Sequence, residues 1–73
     1  MFALVIMKKK EEKVDVKLFQ SREQVEKEMI LLYNTELRRA SEIDWRYTFF
    51  DSKKWYASVD DWVDRVEYAC CEA

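Results

Sequence analysis

The sequence predicts a single α+β domain, residues 1–73, of order β-β-α-β-β-α, with its helices packed on one face of an antiparallel sheet. Three observations lead there. The stretch from Ser21 to Ser41 carries a sustained helical period of apolar residues. Short apolar or alternating runs lie on both sides of it, as strands require. Residues 59–73 then return to a helical period, which predicts a second helix.

Phe2 to Met7 is apolar at every position, so both faces of this strand are expected to be covered, as in the middle of a sheet. Phe2, Leu4 and Ile6 point one way, and Ala3, Val5 and Met7 the other. Lys8 to Lys13, KKKEEK, reads as a solvated hairpin loop that turns without glycine. Val14 to Leu18 alternates cleanly and is expected to pair antiparallel with the first strand. Val14, Val16 and Leu18 are assigned to the helix side, with Asp15, Lys17 and Phe19 facing away.

In the helix, Val25, Met29, Leu32, Tyr33, Leu37 and Ala40 fall within roughly 140° at 100° per residue, one apolar face. Ser21 is placed to cap the first turn through its side-chain oxygen. Glu23 near the start and Arg38 and Arg39 near the end suit the helix dipole. Glu36 lies inside the apolar arc and needs a cation, for which Arg46 or a sheet-edge lysine is the expected partner.

Glu42 to Asp44 connects the helix to an aromatic hairpin. Trp45 to Phe49 is read as its first strand, Asp51 to Lys54 as its turn, and Trp55 to Ala57 as its return. Val59, Trp62, Val63, Val66, Ala69, Cys70 and Ala73 then follow helical spacing, and Ser58 with Asp61 resembles a helix capping box. The alternative is a fifth strand, favoured by three valines and Tyr68. Read as one strand, the whole segment shows no clean apolar side.

Composition removes several activities. Average usage would put roughly five glycines and four prolines in a chain this long; this one has neither. Without glycine there is no phosphate-cradling loop, dinucleotide fingerprint or nucleophile elbow. There is no histidine, hence no histidine triad or histidine-ligated metal. Cys70 and Cys71 are adjacent and read as reduced thiols of a cytoplasmic protein. The first apolar run is too short for a signal core or a membrane span, so no membrane association is expected. No catalytic residue, cofactor or metal ligand set stands out.

Net charge is −2, divided as +2 over residues 1–41 and −4 over residues 42–73. That balance disfavours nucleic acid as the partner. With both helices on one sheet face, the other face is expected to carry Ala3, Val5, Met7, Phe19 and Phe50, bordered by Asp15, Lys17, Arg46, Thr48 and Tyr56. Asp60, Asp64 and Glu67 would form an acidic stripe on the second helix, with Asp61 and Tyr68 beside it, suited to a basic protein surface. The expected partner-binding residues are therefore Val5, Met7, Phe19, Arg46, Phe50, Tyr56, Asp60, Asp61, Asp64, Glu67 and Tyr68. The function these imply is a non-catalytic protein-interaction module: a small acidic regulator, inhibitor or adaptor of the kind a phage or mobile element uses. A homodimer formed sheet on sheet is one alternative, and stacking of single-stranded RNA on sheet aromatics is another.

Overall fold

The computed structural model describes residues 1–73. The chain runs β1 (Phe2–Lys8), β2 (Lys13–Phe19), α1 (Arg22–Arg39), β3 (Phe49–Asp51), β4 (Tyr56–Asp60) and β5 (Arg65–Glu72). The strands form one antiparallel sheet in the order β2-β1-β5-β4-β3, and α1 packs on one face of it. No helix is long and apolar enough to cross a membrane.

The α+β class holds, but there is one helix rather than two. The predicted second helix is the end of β4, a turn and β5. The reason lies in β1, which is apolar on both sides and sits with a neighbour on each edge. β2 supplies one neighbour; β5 supplies the other over the full length from Phe2 to Lys8. The helical period of the sequence runs through residues 61–64, which form a turn. Once it is removed, Val66, Tyr68 and Cys70 alternate as a buried face, as a strand requires. Asp61 still caps backbone N–H groups, but those of a turn: its Oδ1 accepts from the Val63 and Asp64 amides at 3.0 and 2.7 Å.

α1 matches the predicted stretch. Ser21 Oγ accepts from the Gln24 amide at 3.2 Å, and Gln24 Oε1 accepts from the Ser21 amide at 3.3 Å, a reciprocal cap. Val25 and Met29 are buried against Leu4, Ile6, Ala57, Val59, Val66, Tyr68 and Cys70. Phe2, Phe19, Leu32, Tyr33, Leu37 and Phe50 pack around them. Glu36 meets Arg39 at 3.4 Å, one turn along its own helix, rather than Arg46 or a sheet lysine.

Trp45 to Thr48 is not a strand. Asp44 is buried, and its carboxylate takes two hydrogen bonds from the Arg46 guanidinium and one from the Arg46 amide, which curls the segment. That guanidinium holds the Asp44 carboxyl below the usual aspartate range. The Asp44 amide donates to the Asp60 carbonyl at 2.8 Å, and Thr48 Oγ1 accepts from the Asp60 amide at 2.9 Å, so the segment flanks the end of β4.

A chain without glycine must place other residues in the left-handed region. It does so at Glu12, Trp55 and Trp62, each in a hairpin turn or at its exit.

Candidate functional site: the open sheet face

Residues paired directly across neighbouring strands share a face, so the register assigns the side of the sheet that α1 leaves uncovered. Ala3 pairs with Leu18 and Cys71, Val5 with Val16 and Ala69, and Met7 with Val14 and Glu67. On the far side Ala69 pairs with Tyr56, and Glu67 with Ser58, which in turn pairs with Phe49. The uncovered face therefore reads Val14, Val16 and Leu18 on β2, then Ala3, Val5 and Met7 on β1, then Cys71, Ala69 and Glu67 on β5, then Tyr56 and Ser58 on β4, then Phe49 on β3. Glu67 is the charged group in the middle of this face, where Lys9 neutralises it at 3.3 Å; Asp51 and the ion-paired Asp60 and Arg65 lie at its margins.

This reverses the expected facing of β2. Val14, Val16 and Leu18 lie on the open face and are 63%, 58% and 60% exposed. Phe19 turns to the core instead, opposite Phe2. The cause is the position of the helix. α1 lays its apolar stripe over β1, β5 and β4, so the helix side of the edge strand β2, Phe19 excepted, meets the polar flank of α1. Lys17 Nζ reaches Glu28 Oε2 there at 2.9 Å. Charge on one side of β2 is satisfied by the helix, and the apolar side is left outward.

The other predicted partner-binding residues are redistributed. Val5, Met7 and Tyr56 do lie on the open face. Phe50 faces the helix side, edge-on to Tyr33 with ring centroids 5.5 Å apart. Tyr68 is buried beneath α1, its hydroxyl donating to the Leu32 carbonyl at 3.4 Å. The acidic stripe does not exist as a surface, because its carboxylates brace hairpins. Asp60 Oδ2 accepts from Arg65 Nε at 3.1 Å and its Oδ1 from the Trp62 amide at 2.8 Å. Asp61 caps the 61–64 turn. Asp64 Oδ1 accepts from the amides of Lys10 and Arg65 at 2.7 and 2.8 Å, tying two turns together. Glu67 serves Lys9; burial, and then Glu67 beside it, pushes the Tyr56 hydroxyl up to about 12.

Arg46 belongs to a second surface feature at the end of the sheet. Its guanidinium stands 5.1 Å from the Trp62 ring centroid and 5.5 Å from that of Tyr47. Arg65 covers Tyr47 at 4.1 Å. Trp45, Tyr47, Trp62 and Val63 are all exposed there. Both guanidinium groups are already matched, to Asp44 and Asp60, so the feature is apolar and neutral rather than anion-binding.

From the sequence, Val14, Val16 and Leu18 are set on the helix side and Trp62 and Val63 in the apolar period of a second helix, so none of them is among the expected partner-binding residues. The signal available for β2 was Phe19: a phenylalanine two residues before a helix cap belongs in the core, which sets the facing of the strand before it.

The two thiols separate by face. Cys70 is buried beneath the helix, its thiol 3.5 Å from Met29 Sδ, and burial pushes it up to about 11. Cys71 is exposed on the open side. Folded protein treated with iodoacetamide at pH 8 is expected to gain one adduct, at Cys71, and denatured protein two, as counted by mass spectrometry. Rapid double labelling of the folded chain would mean that β5 opens readily.

No family model, curated protein or solved structure matches this chain.

Proposed function

We propose that this protein is a non-catalytic interaction module, a small cytoplasmic regulator or inhibitor that acts by occupying another protein through its open sheet face. The observation that carries the reading is the outward placement of Val14, Val16 and Leu18 beside Val5 and Met7. β2, β1, β5 and β4 together present a footprint of roughly 400 Å² at ordinary strand spacing, a size at which exposed apolar patches are often binding surfaces. Water-exposed sheet faces normally alternate to polar side chains; here only Glu67 and the buried Ser58 do so near the centre. The occupant is a protein with an apolar surface of its own. An acidic-stripe contact with a basic partner loses its basis, because those carboxylates are engaged within the chain. Base stacking loses support as well, since Phe19 and Phe50 turn inward and leave Phe49 and Tyr56, 5.6 Å apart, as the facing aromatics.

Met7 and Phe49 sit on one cross-strand row, Val14–Met7–Glu67–Ser58–Phe49. Met7→Lys with Phe49→Lys is expected to remove binding of any protein retained by the immobilised wild-type chain, while the thermal unfolding curve stays cooperative. Undiminished retention by this folded double variant would defeat the open-face reading.

A further inference from the structure

We propose that β2 pairs edge to edge with β2 of a second copy, centred on Val16, to make a two-fold dimer with a continuous ten-stranded sheet. β2 is a terminal strand of seven residues, paired only with β1. Its outer edge presents unpaired backbone N–H and C=O groups. The opposite edge is not equivalent: β3 has three residues, and the chain around Asp44 and Thr48 flanks β4 just beyond it.

Register selects this pairing. In an antiparallel pair of identical strands, two residues face each other when their numbers sum to a constant, and facing residues share a side of the sheet. Centring on Val16 sets Asp15 against Lys17 of the second copy, and Lys17 against its Asp15. On the open side Val14 meets Leu18 twice and Val16 meets itself. The Asp15–Lys17 pairs and the apolar pairs are complementary, and Lys13 meets Phe19 only at the two ends of the strand pair. Moving the centre to Asp15 sets aspartate against aspartate and Lys13 against Lys17. Moving it to Lys17 sets lysine against lysine. An intermediate centre turns the valines onto the charged side, the penalty of any one-residue slip. Lysines commonly guard sheet edges against association; here the aspartate between two lysines repels the slipped registers and admits one. Lys17 is already held over the sheet by Glu28, and Asp15 has only Lys13, at 4.0 Å, so Asp15 is available to a partner cation.

The two-fold axis of this pairing stands perpendicular to the sheet, so both helices lie on one side and both open faces on the other. The inference thus goes beyond the open-face reading and neither requires nor replaces it.

Charge exchange tests it, with solution mass from sedimentation over a range of concentrations as the readout. Wild type is expected to dimerise. Asp15→Lys sets lysine against lysine twice, and Lys17→Asp sets aspartate against aspartate twice; each is expected to weaken association by about a hundredfold. Mixing the two single variants restores opposite charges at both positions, and the mixture is expected to form heterodimers at wild-type concentrations. The double variant Asp15→Lys/Lys17→Asp recovers homodimers. Its restoration also shows that loss in the single variants is not misfolding. A monomeric wild type, single variants that dimerise like wild type, or a mixture that stays monomeric would each overturn the proposal. A mass altered by Met7→Lys/Phe49→Lys but not by the charge variants would also overturn it, placing the contact on the face and not the edge.

Discussion

Leu4→Ala is expected to remove about 3–5 kcal/mol of folding stability, the cost of deleting a fully buried leucine and leaving a cavity. Leu4 has no exposed surface and lies mid-strand in β1, between Lys17 of β2 and Cys70 of β5 in the register. Val25 and Met29 of α1 close over the same cluster. Few neighbours can relax into the gap, because β1 is clamped by a strand on each edge. A chain of this length holds about 4–11 kcal/mol in total, so the variant loses about a quarter of its stability at least and all of it at worst. Urea unfolding followed by tryptophan fluorescence reads this as a lower midpoint with an unchanged slope. A loss under about 1 kcal/mol would mean that the helix side of β1 is not the centre of the core.

Trp55→Ala is expected to cost about 2–4 kcal/mol, through loss of packing and of the link between helix and hairpin. Trp55 sits at the entry to β4 with φ 54°, and its carbonyl accepts from the Cys70 amide at 2.9 Å. Its ring meets Phe2 edge-on at 6.0 Å, and the Arg22 guanidinium covers it at 4.2 Å. The indole Nε1–H donates to Glu26 Oε1 at 3.0 Å. One side chain thus joins the first turns of α1, the start of β1 and the β3–β4 hairpin. Trp55→Phe separates the contributions, because it keeps most of the packing and removes the donor. Glu26 lies below its ordinary value, first through Arg22 and then through Trp55. Its contribution to stability is therefore present above the usual glutamate value and fades as pH falls through the lowered one. In Trp55→Phe the Glu26 carboxyl is expected to titrate closer to its ordinary value by NMR, with Arg22 keeping part of the depression. An unchanged titration would show that the indole hydrogen bond does not persist in solution.

The helix was legible because its determinants are local. Ser21, the spacing of Val25, Met29, Leu32, Tyr33 and Leu37, and the terminal arginines all act within a few turns of one element. The first hairpin was legible for the same reason, as a short charged loop between two apolar runs. The last third was not. Val59, Trp62, Val63 and Val66 satisfy a helical period and also a strand–turn–strand with a two-residue tip. Asp61 caps either one. What decided between them was the vacant edge of β1, a demand that arises some sixty residues earlier in the chain and cannot be read inside the segment.

The candidate surface divides in the same way. Val5 and Met7 were placed correctly because the side of a central strand follows from its period of two. Phe19, Phe50 and Tyr68 were placed outward and lie inward, and Val14, Val16 and Leu18 the reverse, because facing in an edge strand or a short hairpin depends on where the helix ends laterally. Asp60, Asp61, Asp64 and Glu67 looked like a free acidic stripe because sequence spacing shows charges but not their partners; Arg65, Lys9 and the turn amides reach them only through the β4–β5 and β1–β5 pairings.

By itself the amino-acid sequence determined the α+β class, the single long helix with its cap and apolar face, the central position of β1, and the glycine-free turns. Each follows from hydrophobic period, capping and backbone preference over a few residues. Only the tertiary structure decided that the C-terminal segment is a strand, that β2 turns its valines outward, and that the acidic side chains hold turns rather than face solvent. Those outcomes depend on which surfaces remain uncovered once α1 lies across the sheet, and burial of apolar surface is settled by the whole assembly of elements rather than by any one of them.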